Sequence, residues 1–134
     1  TIHGESSSLI MKNSIVTEQN INMPYNSKLA FSNCQFENNA SLIGSADSFR
    51  IVQCQFNEAG IQANGSYLLI DSCQVLQASS TGIFIYGGGA NAYVSNSTIS
   101  TCGGRGIYLE TNANVSDCII TKNAGGGIYV ESTQ

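Results

Sequence analysis

One short phrase occurs three times in the second half of the chain and carries most of the aromatic side chains there. It reads GIFIY at residues 82–86, GIYLE at 106–110 and GIYVE at 127–131. Because side chains alternate along a strand, the third and fifth residues of each copy share one face, which we predict to point outward. The side chains on that face are Phe84, Tyr86, Tyr108, Glu110, Tyr129 and Glu131.

Two interpretations of this face remain open. Flat rings beside carboxylates and hydroxyl-rich segments can stack on the face of a sugar or bury against a protein partner. Aromatic neighbours on adjacent strands can also do no more than stabilise the sheet that they belong to.

Catalytic groups are sparse in the sequence. A sugar-cleaving site needs paired carboxylates, or clustered Asp with a basic residue, and the phrases NTD, DD, GHG and RIK of polygalacturonases do not occur. Glu110 and Glu131 are the only acids in one column, and no Lys or Arg lies in their strands. Three readings of the pair are a solvated strand end, an acid of raised proton affinity or a weak cation site. His3 is the only histidine, so no triad or multi-histidine metal site can form in one chain. We predict no catalytic residue, no metal and no cofactor, and therefore no enzyme.

Five cysteines fall into two groups. Four recur at the same position of a repeat in which serine replaces them elsewhere, which is typical of small, buried, inert thiols; they are Cys34, Cys54, Cys73 and Cys118. Parallel neighbours in that column are too widely spaced for a disulfide. Cys102 lies in a glycine-rich turn with no matching cysteine, which leaves a free or an intermolecular thiol open.

The repeat organises the whole chain. Its anchor is a small residue found at Ser14, Cys34, Cys54, Cys73, Ser97 and Cys118, in steps of 20, 20, 19, 24 and 21. Three residues before the anchor stand Met11, Phe31, Ile51, Ile70, Val94 and Val115, and two residues after it stand Val16, Phe36, Phe56, Val75, Ile99 and Ile120. A third strand carries Ile21, Leu42, Ile61, Ile83, Ile107 and Ile128 inward. Units this short bury such columns only by stacking on one another, which predicts a solenoid of about six coils with three short strands per coil.

A polar residue precedes each anchor, and we predict a sharp bend there. Asparagine tolerates the left-handed backbone region that such a bend needs, and stacked Asn side chains can bond one another along the axis. The predicted structural ladder comprises Asn13, Asn33, Asn96, Asp117 and the four anchor cysteines. Polar turns are predicted after the third strand, at residues 24–28, 44–48, 63–67 and 87–91.

The phrase N-C-x-F followed by G-I-x-x, with asparagine at a short turn, resembles the right-handed parallel β-helix (pectate-lyase-like) superfamily. That resemblance implies an all-β, right-handed parallel β-helix over a single domain, residues 1–134, and places the third strand on the side that resembles the substrate-binding side of β-helix enzymes. Function on such scaffolds depends on the grafted site. A narrower resemblance is to chlamydial polymorphic outer-membrane proteins and autotransporter passengers. Residues 36–39 match their F-x-x-N motif as FENN, whereas residues 56–59 (FNEA) and 88–91 (GGAN) depart from their motifs.

Composition indicates the kind of surroundings. A net charge of −4 with only 10% charged residues excludes a basic nucleic-acid surface, and no apolar run is long enough to span a membrane. Uncharged Asn, Ser and Gly surfaces predict an extracellular or cell-surface location. Neither end carries a capping helix, so we expect the chain to stack head to tail with itself, or with flanking coils of a longer chain. The leading hypothesis is a non-catalytic, structural or adhesin-like module; the alternative is a carbohydrate-binding or carbohydrate-cleaving domain that uses the aromatic face.

Overall fold

The computed structural model describes residues 2–3, 8–87 and 91–131. Within them every regular secondary-structure element is a β-strand, and turns join the strands. In chain order these are β1 Ile2–His3, β2 Ser8–Lys12, β3 Ile15–Thr17, β4 Ile21–Ser32, β5 Gln35–Glu37, β6 Leu42–Val52, β7 Gln55–Asn57, β8 Ile61–Asp71, β9 Gln74–Leu76, β10 Ile83–Ile85, β11 Asn91–Ser95, β12 Thr98–Ser100, β13 Ile107–Leu109, β14 Ala113–Ser116, β15 Ile119–Thr121 and β16 Ile128–Val130. The prediction of an all-β fold is confirmed.

All strand pairs are parallel and join neighbouring coils. One sheet runs in the order β1-β4-β6-β8-β10-β13-β16, with β2, β11 and β14 paired alongside, and a second runs β15-β12-β9-β7-β5-β3. The register sets Phe36 against Phe56 and Ile83 against Ile107. The two Phe rings stack with centroids 4.5 Å apart and planes 1° apart. The predicted solenoid of six coils is therefore confirmed column by column.

Each coil turns its corner through a left-handed residue. All six positions predicted as bends have positive φ; they are Asn13, Asn33, Gln53, Ser72, Asn96 and Asp117. A second left-handed residue follows five positions later in every coil; these are Glu18, Asn38, Glu58, Gln77, Thr101 and Lys122. All six lie in the variable turn that the sequence predicts before the third strand, although most are of types that rarely adopt the left-handed region.

The core fills the space between the sheets. Inward side chains of the middle coils are buried, and Phe31, Phe36, Phe49 and Phe56 are the largest of them. In the final coil Ile128 and Val130 continue the inward columns but are 49% and 60% exposed, because no other coil of the described residues packs over them.

The strands of the first half are longer than predicted. Three of the predicted turns, at residues 24–28, 44–48 and 63–67, lie inside continuous strands that join the third strand of one coil to the first strand of the next. Coil-to-coil pairing continues through most of these stretches, for example between Ala46 and Gly65. A side chain at Gly65 would collide with the carbonyl oxygen of Ala46, so glycine permits this close approach. The fourth predicted turn, at 87–91, lies mostly outside the described residues.

Candidate binding surface

The third strands of the last three coils position the aromatic face. Phe84 pairs with Tyr108, and Tyr108 with Tyr129, at the centres of strands whose flanking residues point into the core. Glu110 and Glu131 each donate a backbone N–H to the preceding coil, at 2.9 and 2.8 Å, which holds them in the next column with Tyr86. The structure thus brings together all six predicted residues, and we call this surface the aromatic strip.

The rings of the strip contact one another at different angles. Phe84 meets Tyr108 edge to face, with centroids 4.8 Å apart at 86°, and Tyr108 meets Tyr129 at 5.1 Å and 39°. Phe84 also lies 5.3 Å from Tyr86. Tyr129 is 40% exposed. The strip is therefore a row of mutually supported rings that leaves part of each ring open to solvent.

Arg105 joins this surface, although its place in the sequence does not predict it. Its guanidinium lies 3.6 Å from the Tyr129 ring centroid and 5.1 Å from that of Tyr108. A cation over an aromatic ring is attracted by the ring's quadrupole. Arg105 stands in the turn before β13, where sequence spacing does not predict which way a long side chain extends.

Tyr108 is tied to the acidic column. Its hydroxyl donates a hydrogen bond to the Glu131 carboxylate. That bond, with the nearby negative charge, raises the pKa of Tyr108 to about 12. Glu131 is therefore engaged by a neighbour. The Glu131 carboxylate is nevertheless exposed to solvent, so this contact leaves all three interpretations of the Glu110–Glu131 pair open.

A shallow hollow of 300 Å³ adjoins the strip. It is lined by Gln62, Ser80, Thr81, Phe84 and Tyr108. Gln62 occupies the same outward column as Phe84, one coil earlier. An amide and two hydroxyls thus stand beside two rings, an arrangement that offers polar and apolar contacts together.

The anchor column explains why serine and cysteine exchange there. In every coil the anchor side chain donates a hydrogen bond to the carbonyl two residues earlier, across the left-handed bend. The donor–acceptor distances are 2.8 Å for Ser14, 3.4 Å for Cys34 and Cys54, 3.2 Å for Cys73, 2.7 Å for Ser97 and 3.1 Å for Cys118. The column therefore selects a small side chain with a donor.

The thiols are free and mostly enclosed. Cys34, Cys54 and Cys73 are buried, as predicted, whereas Cys118 in the final coil is half-buried. The hydrogen bond with Cys54, together with burial, raises the pKa of the Cys73 thiol. Cys102 is also free and only 2% exposed, and burial raises its pKa. That burial contradicts the alternative of an intermolecular thiol.

The asparagine ladder is shorter than predicted. Asn33 donates to Asn13 at 2.8 Å, as expected for stacked amides. Asn96 instead donates to Asp71 at 2.9 Å. The bend of the preceding coil carries Ser72, which has no amide for Asn96 to bond. Asp71 also accepts hydrogen bonds from Ser72 and Ser95, and these three donors, led by Ser95, lower the pKa of Asp71. Asp117 occupies the bend in the last coil, with φ of 52°.

Neither a metal site nor a spanning helix emerges from the part of the chain that the structure describes. No group of three or more His, Cys, Asp or Glu side chains there could hold a metal ion. Among the same residues, no helix has the length and apolarity needed to cross a membrane.

The fold and its repeating columns define a class of protein, the parallel β-helices. The family described as right handed beta helix region matches residues 3–134, and the chain belongs to that family. Comparison with curated proteins and with solved structures found no match.

Proposed function

We propose that this β-helix is a non-catalytic, adhesin-like module that presents the aromatic strip to a glycan at an extracellular or cell surface. The observation that carries the proposal is the unbroken outward column of Phe84, Tyr108 and Tyr129 on three stacked strands. Parallel pairing fixes the spacing of these rings, so a ligand would meet a surface that is already ordered.

The chemistry of the strip suits a sugar. Sugar rings have apolar C–H faces that pack on aromatic rings and hydroxyl edges that need hydrogen-bonding partners. The strip offers both, because its carboxylates and the hollow beside Phe84 supply acceptors and donors next to the rings. No carboxylate among the described residues forms an ion pair with Arg105, so its N–H groups remain available to ligand hydroxyls.

The contact between Tyr108 and Glu131 favours binding over catalysis. A general base must be free to reach the proton that it removes. The Tyr108 hydroxyl donates to the Glu131 carboxylate, so the acid nearest to the rings is already engaged by a neighbour. These groups are arranged to hold each other in place.

A glycan array tests the proposal. The double variant Tyr108→Ala/Tyr129→Ala should lose the binding shown by the unaltered chain, because both stacking faces are removed. The matched control Tyr108→Phe/Tyr129→Phe keeps the rings and should retain most of the binding. Binding that survives the alanine variant would remove the strip from consideration, and turnover of any bound glycan by lyase or hydrolase assay would overturn the non-catalytic assignment.

Head-to-tail contact is a second candidate, favoured by the open inward columns of the final coil. Ile128 and Val130 expose apolar surface that the equivalent residues of earlier coils bury fully or nearly so. A coil stacked in register, from a second copy of this chain or from flanking coils of a longer one, would bury it. Light scattering of the isolated chain should show concentration-dependent growth that Val130→Lys abolishes. A monomer at every concentration would exclude self-association.

A further inference from the structure

A second aromatic pair lies on the first strands of the coils, in columns that the strip does not use. Tyr67 and Tyr93 are 39% and 40% exposed, with ring centroids 6.1 Å apart and planes at 45°. They belong to consecutive coils, since Tyr93 pairs with Leu69, two residues after Tyr67. The rings therefore lean over one shared patch of surface.

That patch is a hollow of 360 Å³ with two unlike sides. Tyr67, Leu69 and Tyr93 line it on one side, and Ser95, Asn114 and Ser116 line it on the other. Asn114 pairs with Tyr93, and Ser116 with Ser95, so the polar side belongs mainly to the next coil. The change from apolar to polar thus occurs across about one rung spacing, roughly 4.8 Å.

The polar side has free hydrogen-bonding capacity. Within the described residues, neither the Asn114 amide nor the Ser116 hydroxyl makes a side-chain hydrogen bond to protein, and both residues are exposed. Ser95, by contrast, is held by its 2.7 Å bond to Asp71. An amide and a hydroxyl can therefore both donate to and accept from a ligand placed on the rings.

The local charge limits the kind of ligand. Asp71 lies one coil from Ser95 in the same column, and its three donors keep it ionised. None of the six lining residues carries a charge. Arg50 lies one coil from Leu69 in the column of Tyr93, so one charge of each sign stands at the rim and none lies in the lining. These surroundings give an ion no net attraction, which favours a neutral ligand.

We propose that this hollow binds a single neutral sugar ring, with its C–H face on Tyr67 and Tyr93 and its hydroxyls on Asn114 and Ser116. A protein partner would need a far larger complementary surface than six residues provide. The site is separate from the aromatic strip and does not depend on the function proposed for it.

Fluorine NMR of protein labelled with 3-fluorotyrosine tests this directly, because the chain has six tyrosines and no tryptophan. The probes are methyl β-D-glucopyranoside, methyl β-D-galactopyranoside and N-acetylglucosamine, with methyl β-D-glucuronide as the anionic match to the first. At least one neutral probe should shift the Tyr67 and Tyr93 signals with a Kd of about 1–10 mM. The glucuronide should bind no more tightly than the glucoside, because the opposite charges at the rim give an anion no net attraction.

Variants separate this site from the strip. Tyr93→Ala should weaken binding at the Tyr67 signal about tenfold, whereas Tyr93→Phe keeps the ring and should change it less than about twofold. Asn114→Ala should cost about threefold. Tyr108→Ala/Tyr129→Ala should leave the Tyr67 and Tyr93 shifts intact, so a failure of the strip proposal would be visible separately.

Two results would overturn the inference. The first is the absence of any Tyr67 or Tyr93 shift with all three neutral probes up to about 100 mM. The second is a shift that Tyr93→Ala leaves unchanged in a variant whose circular dichroism matches that of the unaltered chain. Tighter binding of the glucuronide than of the glucoside would equally contradict the assignment to a neutral sugar.

Discussion

The two halves of the solenoid share one backbone plan and use their aromatic residues in opposite ways. In the first half Phe31, Phe36, Phe49 and Phe56 are fully buried, and the sheet strands run continuously for 11 or 12 residues. In the second half aliphatic residues such as Ile83 and Ile107 fill the core, while Phe84, Tyr108 and Tyr129 point outward on strands of three residues.

This difference shows how a repeat separates stability from surface function. The inward columns need only apolar side chains in register, and either phenylalanine or isoleucine satisfies them. The third strands carry aliphatic residues inward in both halves, so their outward positions can differ between coils without changing the core. The first half has Asn22, Ile43 and Gln62 in the column where the second half has its aromatic strip.

The largest expected effect contrasts an inward ring with an outward one. Phe56→Ala removes a buried ring that stacks on Phe36 and should lower the free energy of unfolding by about 3–5 kcal/mol. Phe84→Ala, the matched outward variant, should cost about 1 kcal/mol or less, since it loses cross-strand contacts only. Urea denaturation of both variants gives the values, and equal losses would remove the distinction between the halves.

A smaller effect tests what the halves have in common. Cys54 and Ser97 occupy the same anchor column and make the same bond across the bend. Cys54→Ser keeps a donor of similar size and should cost less than about 1 kcal/mol. Cys54→Val removes the donor and adds bulk to a packed core, at about 1–3 kcal/mol. If valine were tolerated as well as serine on urea denaturation, the bond would not be the reason for the column.

The tyrosines of the second half should differ in their titration. The pKa of Tyr108 is about 12 in the folded chain, against an ordinary value of 10.0. Folding therefore favours the neutral phenol, and this contribution to stability is complete below pH 10 and lost as pH rises toward 12. Phenolate absorbance should show a late-titrating tyrosine that disappears in Tyr108→Phe.

Glu131→Gln provides the control for that titration. Removing the carboxylate charge should bring the pKa of Tyr108 back toward its ordinary value while keeping an acceptor in place. A Tyr108 that titrates normally in the unaltered chain would show that the Glu131 contact does not hold in solution.

The smallest effect concerns a bend of the first half. Gln53 adopts φ of 55°, a region that asparagine tolerates better than glutamine. Gln53→Asn should raise the free energy of unfolding by about 0.5 kcal/mol, and its amide can extend the Asn13–Asn33 pair. Gln55→Asn, a neighbouring exposed residue within a strand, serves as the control and should not stabilise. A loss of stability in Gln53→Asn would contradict the role given to the bend.

The coils were predictable from the sequence because residues of the same kind recur at the positions that stack on one another. Phe36 over Phe56 followed from spacing alone. The position of Arg105 over the Tyr129 ring did not follow from spacing, because the direction of a long side chain in a turn is not set by the repeat. The bond between Asn96 and Asp71 was not predicted for a related reason. Asp71 lies one residue before the bend column, and its carboxylate takes the place of the amide expected there. The continuous strands of the first half also escaped prediction, since polar residues there suggested turns.

The most direct test of this account is the free energy of unfolding of Tyr108→Ala/Tyr129→Ala. If the outward rings serve a ligand, their removal costs only their mutual contact and the Arg105 contact, about 1–2 kcal/mol together. A loss of about 3–5 kcal/mol, as for a core phenylalanine, would show that these rings hold the coils together.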